Sequence, residues 1–309
     1  MKYFLIVLSF VVLFVGAYFF LKTDPFTFTK DGYESDPVIE DGDVDESATS
    51  SEEVTDESDT DSAETPSEEV IGKSVLGKDI KAYHFGEGES EIILVGGIHG
   101  GYSWNTALLS YNLIDKFESD KSVIPDGVKV TVIPVLNPDG LYKVTGKEGE
   151  FISSDVSGDT TPARFNQNGI DLNRNFDCNW ESTSMWRDRE VDAGSQVFSE
   201  PESKAFRDYV QKVNPVAVVV YYSSGGGVYA SSCNGDAMPE TVSLMNTYAD
   251  ASGYSAEGIF DSYKITGDAV DWLAKINIPA VSVILDTPNS TDWSKNYNGV
   301  KAVFDQFAN

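Results

Sequence analysis

Uninterrupted apolar runs alternate along this chain with stretches whose apolar residues recur every three or four positions. EIILV (91–95), VKVTVIPVL (128–136), AVVVYY (217–222) and PAVSVIL (279–285) are of the first kind. They are rich in β-branched residues and show no polar alternation, so strands covered on both faces are predicted. Helices are predicted over WNTALLSYNLIDKF (104–117), SEPESKAFRDYVQKV (199–213), PETVSLMNTYADASG (239–253), AVDWLAKI (269–276) and NGVKAVFDQF (298–307). In the second of these, Ser199 and Glu202 have the spacing of a capping box, with Pro201 in the first turn. Gly253 is a stop signal for the third. There is no internal repeat. Strands alternating with helices predict an α/β fold built on a mixed, mostly parallel twisted sheet flanked by helices.

The first 69 residues of the chain follow other patterns. Residues 3–21, YFLIVLSFVVLFVGAYFFL, carry no charge and are long enough to span a bilayer as a helix. A cleaved signal peptide is the competing reading, with Val15 and Ala17 as its small-residue site. The apolar run continues to Leu21, beyond the ~7–15 residues usual for a signal peptide, so residues 1–22 are read as an uncleaved transmembrane anchor. Residues 23–69 are dominated by Ser, Thr, Asp and Glu, with little to bury, and are predicted to form a disordered acidic stalk. On this reading the globular part, 70–309, lies outside the cytoplasm. The net charge of the chain is -28, and the stalk holds well over half of it. With no basic patch to release counterions from phosphates, nucleic-acid binding is not expected. The two cysteines, Cys178 and Cys233, both fall in the globular part. An exported domain favours a disulfide between them; two free buried thiols are the alternative.

Ligands in open α/β sheets gather beyond the carboxyl ends of strands. After EIILV come two glycines, Ile98, His99 and two more glycines. Asn137, Pro138, Asp139 and Gly140 follow VTVIPVL. Ser223, Ser224 and three glycines follow AVVVYY, and Asp286 and Thr287 follow PAVSVIL. Four strand ends therefore carry polar or glycine-rich turns, and a pocket is expected at that edge.

GGIHG (96–100), IPVLNPDGL (132–141), NGIDLNRNF (168–176) and YKITGDAVDW (263–272) resemble, in this order, the zinc carboxypeptidases of the carboxypeptidase A type. That family includes bacterial peptidoglycan-peptide hydrolases. The resemblance implies a mixed sheet of about eight strands. It also implies zinc on two histidines and a glutamate, a second glutamate as general base, polarising arginines, and an Asn-Arg pair that grips the substrate's terminal carboxylate. By this resemblance the first zinc ligand falls on His99. The glutamate ligand falls on Tyr102 or Ser103, the second histidine on Tyr222, and the general base on Ile284. None of these last positions holds the family's residue. The clamp is retained: Arg164 matches the carbonyl-polarising arginine, Asn173 and Arg174 the carboxylate pair, and Tyr263 the closing tyrosine. Val270 matches the position that shapes the terminal side-chain pocket, and an apolar residue there implies an uncharged preference.

One histidine does not make a catalytic zinc site, which needs three protein ligands and water. His84, the only other histidine, lies in the strand-like KAYHF and is expected to be structural. Tyr102 and Tyr222 would ligate only as phenolates, against an ordinary pKa near ~10. Asp286 shares a strand face with Ile284 but starts roughly 7 Å further along, a poor substitute base. No cofactor is therefore expected. The reading is of a membrane-anchored carboxypeptidase-like protein, inactive as a peptidase, that binds peptide or peptidoglycan stem-peptide C-termini. Two alternatives stand beside it. One is an active zinc carboxypeptidase with unrecognised ligands. The other is a surface scaffold in which Arg164 and Arg174 are buried ion-pair partners.

Overall fold

Within residues 67–308, which the computed structural model describes, each apolar run becomes a strand whose successive side chains enter two different cores. The predicted anchor and all but the last residues of the predicted stalk lie outside this range. Among the described residues no helix is long and apolar enough to cross a membrane.

In chain order the elements are β1 (Ser67–Lys73), β2 (Asp79–Phe85), β3 (Ser90–Val95), α1 (Trp104–Ser119), β4 (Val128–Ile133) and α2 (Pro138–Thr145). They continue with β5 (Thr183–Trp186), β6 (Arg189–Asp192), α3 (Pro201–Val213), β7 (Ala217–Ser223), β8 (Val228–Ala230) and α4 (Pro239–Ser252). The last are β9 (Ala256–Ile259), α5 (Ala269–Lys275), β10 (Ala280–Leu285) and α6 (Trp293–Phe307). Eight strands form one sheet in the order β1-β2-β4-β3-β7-β10-β8-β9, and β5 and β6 form a separate hairpin. The four central strands β4, β3, β7 and β10 run parallel. The pairs β1-β2, β2-β4 and β10-β8 are antiparallel, and β8-β9 is parallel.

Side chains of a strand point alternately to its two faces, and here both faces are roofed. Ile92, Leu94, Val219, Tyr221, Val281 and Val283 pack with α1, α4 and α6. Ile93, Val95, Val218, Val220, Tyr222 and Ala280 pack with α3 and α5 through Phe206, Val210, Trp272 and Leu273. Double coverage is why these strands read as continuous apolar runs.

Several boundaries differ from the sequence reading. β1 begins at Ser67, three residues ahead of the expected boundary at 70. β4 ends at Ile133 because Pro134 has no N–H to continue the ladder. α6 starts at Trp293, five residues before the predicted 298. The capping box of α3 does not form. Glu200 is the N-cap, and Glu202 is buried, its carboxylate accepting the Val75 amide and the Asn166 side-chain amide at 3.1 Å each. α4 stops as expected at Gly253, which takes a left-handed conformation.

Candidate functional site

Chain order reverses around β3: β4 lies on one side of it and β7 on the other. A crevice forms beyond the carboxyl ends of strands at such a switch point. The glycine-rich turn after β3 enters this crevice. Gly100 has φ +45°, and a Cβ there would lie 2.8 Å from both the Ala163 carbonyl oxygen and the Gly140 Cα. Only glycine tolerates that conformation and that approach. The turn thus packs tightly against the 137–140 and 161–164 loops and presents His99.

A cavity of about 390 Å³ opens here. Its walls include nine of the residues singled out from the sequence: His99, Tyr102, Arg164, Asn173, Arg174, Tyr222, Tyr263, Val270 and Ile284. Ser103 is not part of the wall; its hydroxyl lies 3.5 Å from the Ser223 carbonyl. Asp286 is exposed, pairs with Lys295 at 2.8 Å and lies outside the cavity wall. His84 sits on β2, its Nδ1 3.0 Å from the Thr131 hydroxyl, in a structural setting away from this cavity.

The cavity's charged groups have unequal partners. Arg164 is buried and donates through Nε and Nη2 to the Asp171 Oδ2 at 2.9 and 2.8 Å. Burial would raise the Asp171 carboxyl, but the Arg164 charge overcomes it and holds that group well below the usual carboxylate range. Arg174 is 1% exposed. Its Nε donates to the Met185 carbonyl at 3.0 Å and its Nη1 to the Asn173 carbonyl at 2.6 Å. It forms no ion pair among the described residues. Asn173 donates to Asp268 Oδ2 at 2.6 Å and accepts from the Ala269 amide and the Tyr222 hydroxyl at 3.1 and 3.2 Å.

His99 is 5% exposed, and neither ring nitrogen has a hydrogen-bond partner. Its Nε2 lies 3.7 Å from Asp171, too long for a hydrogen bond. Burial and the neighbouring Arg164 hold its pKa down to about 4, so the ring is neutral at pH 7. That is the state a metal ligand needs, but the rest of the donor set does not fit zinc. Burial and the Asp268 carboxylate push the Tyr222 phenol well above its ordinary value, and it donates to Asn173 instead of ionising. Tyr102 packs edge-on against Trp186, ring centroids 4.9 Å apart. Ile284, opposite Tyr222 in the β10-β7 ladder, has no group to act as a base. Among the described residues no three of His, Cys, Asp and Glu are grouped to hold a metal ion.

The sequence reading missed Asp268, Asp271 and Trp186, all of which line the cavity. The acids were visible in GDAVDW as neighbours of Val270, but their side of α5 was not. Trp186, on β5, lies beneath the Arg164 guanidinium at 4.4 Å. Tyr263 sits half-buried at the rim beside Phe260, ring centroids 5.1 Å apart. The expected disulfide is present between Cys178 and Cys233, with Cα atoms 5.9 Å apart.

An eight-stranded mixed sheet with its cavity at the carboxyl ends of β3 and β7 is the architecture of a metallocarboxypeptidase-type hydrolase. Residues 52–306 match the zinc carboxypeptidase family, and the chain belongs to it. A stretch of 83 residues is 37% identical to carboxypeptidase B of Helicoverpa zea, covering 26% of this chain and 19% of the insect protein. Among solved structures, the murein-tripeptide amidase MpaA of Escherichia coli O157 superposes with a TM-score of 0.55 at 22% identity, over 78% of this chain and 92% of MpaA. Carboxypeptidase A of Helicoverpa armigera gives 0.62 at 19% identity, over 79% and 68%. Bovine thrombin-activatable fibrinolysis inhibitor gives 0.64 at 17%, over 79% and 90%. At these identities the three structures speak for the fold alone.

Proposed function

We propose that this chain is a carboxypeptidase-like protein without peptidase activity that binds the C-terminal carboxylates of peptides. Arg174 carries the reading. A guanidinium that is 1% exposed, lines the cavity and has no carboxylate partner among the described residues is poised for an external one. Guanidinium holds a carboxylate through paired, charge-assisted hydrogen bonds. The absence of peptidase activity follows from the side chains at the family's metal and base positions: a neutral tyrosine, a serine or tyrosine, and an isoleucine. The scaffold reading accounts for Arg164, which Asp171 pairs within the protein, but leaves the Arg174 charge without an ion-pair partner among the described residues. Peptidoglycan stem peptides are the proposed natural ligands. The fold shared with a murein-tripeptide amidase and the apolar segment 3–21, read as a membrane anchor, support that choice.

The test uses the purified full-length chain in detergent. A short peptide with a free C-terminus and the same peptide as its C-terminal amide are titrated calorimetrically. The free acid is expected to bind at least about tenfold tighter than the amide, and Arg174→Ala to abolish the difference. After a zinc soak and desalting, elemental analysis is expected to find far less than one zinc per chain. Stoichiometric zinc together with release of the terminal amino acid would overturn the proposal.

A further inference from the structure

The sequence contains three Asn-Gly pairs, at 168–169, 234–235 and 298–299. Asparagine before glycine is open to attack by its own backbone. The glycine nitrogen can reach the asparagine Cγ to close a five-membered ring, and glycine has no side chain to shield that nitrogen. As dipeptides the three pairs are equivalent. The structure separates them.

Asn298 and Gly299 lie inside α6, where the helical ladder engages the Gly299 amide. Gly299 is also buried against Tyr248, and a Cβ there would stand 2.5 Å from the ring. Asn168 and Gly169 form an exposed turn, but their reacting groups are held. The Asn168 side-chain amide donates to Glu200 at 2.7 Å, and the Gly169 amide donates to the Asn166 carbonyl at 3.0 Å.

Asn234 and Gly235 are exposed in the loop between β8 and α4, both with positive φ, 68° and 130°. The Gly235 amide has no hydrogen-bond partner among the described residues. The Asn234 side-chain amide has only the Cys233 Sγ at 3.5 Å, a weak acceptor. Around Gly235 the space is open: beyond its chain neighbours, nothing described lies within 4 Å of the place a Cβ would take. The loop is nevertheless anchored. Cys233 is bonded to Cys178, and the Ser232 hydroxyl donates to the Gly235 carbonyl at 2.6 Å. The ring-forming atoms are thus free within a fixed span of chain.

We propose that Asn234 is a site of self-modification, converting through a succinimide to aspartate and isoaspartate with water as the only co-reactant. The Gly235 nitrogen gives up its proton to solvent and attacks the Asn234 Cγ. A C–N bond forms, the bond from Cγ to Nδ2 breaks, and ammonia leaves. Water then opens the ring at either carbonyl, breaking one C–N bond and leaving one carboxylate. Both products add a negative charge beside the exposed Asp236. Isoaspartate also inserts a methylene into the backbone between Cys233 and Gly235. The Ser232 amide of this loop holds Asp271 at 3.1 Å, so the modification falls next to the cavity wall.

The test incubates the full-length chain in detergent at mildly alkaline pH. Samples are taken over time, reduced, digested and read by mass spectrometry for conversion of amide to carboxyl at each Asn-Gly pair. Reaction at the two held pairs needs local opening first, so Asn234 is expected to convert about tenfold or more faster than Asn168 and Asn298. Its product is expected as two species of equal mass, aspartate and isoaspartate, that elute separately. In urea with reductant the three pairs are expected to convert at comparable rates. Conversion of Asn168 or Asn298 as fast as Asn234 in the folded chain, or of none of them, would overturn the proposal. Aspartate as the sole product would rule out the succinimide. The folded order of rates persisting in urea would assign the difference to neighbouring residues and overturn the structural argument.

Discussion

Asp271 is a residue at which burial and charge meet on the cavity wall. Burial and the neighbouring Asp268 charge push its carboxyl up to about 7, from an ordinary 3.8. Between those two values the native state keeps a proton that the unfolded chain has released. The stability this group contributes is therefore full below about pH 3.8 and declines as the pH rises toward 7. Asp271→Asn stays neutral throughout. The variant is expected to melt at the wild-type temperature near pH 4 and above it at pH 8, as read by thermal denaturation of both proteins across that range. Equal melting temperatures at both pH values would show that the carboxyl titrates normally. Sequence reasoning passed over this residue because one residue's shift along a short helix moves a side chain from wall to solvent. Only the packed position of α5 decides which of Ala269, Val270 and Asp271 face the cavity.

At the scale of elements, three segments far apart in sequence are stitched into one cavity wall. The 174–178 stretch and the 266–268 turn exchange backbone hydrogen bonds, Phe176 amide to Gly267 carbonyl at 3.0 Å and Gly267 amide to Cys178 carbonyl at 2.8 Å. Gly267 allows this approach: a Cβ there would stand 2.2 Å from the Arg174 carbonyl oxygen. The disulfide adds the loop after β8, whose Ser232 amide holds Asp271. Closing a loop over a sequence separation of 55 residues removes denatured-state entropy. Reduction, or Cys178→Ser with Cys233→Ser, is expected to lower unfolding free energy by about 2–4 kcal/mol and to weaken peptide binding. Urea melts with and without reductant check the first part, and an unchanged midpoint would sink it. The strand runs and most helices were legible as elements because double burial and helical spacing leave distinct marks. The α3 capping box was not, because tertiary contacts drew Glu202 away from the local role its spacing suggested.

At the scale of the whole molecule, composition divides the chain into an apolar start, an acidic middle and a globular remainder. We propose that the apolar start holds the chain in a membrane with its carboxypeptidase-like part outside the cytoplasm. Fractionation is expected to leave the full chain with membranes after alkaline carbonate extraction, and protease added to intact cells stripped to their plasma membrane is expected to degrade the globular part. Release by carbonate, or protection from protease, would count against the anchor or its orientation.

Sequence by itself determined the α/β class, the edge at which a site would lie, the family resemblance, and the residue types at the matching positions: one histidine, with tyrosine, serine and isoleucine at the others, beside Arg164, Asn173 and Arg174. These are properties of residue type and order, set by periodicity and by the chemistry a side chain can or cannot perform. Tertiary structure alone decided which charges are already matched. Arg164 and Arg174 stand ten residues apart, yet the first is paired with Asp171 and the second forms no ion pair among the described residues. It likewise placed Asp271 on the cavity wall beside Val270. Charge matching depends on distances of a few ångströms between distant segments, and these exist only once the sheet and its helices have packed.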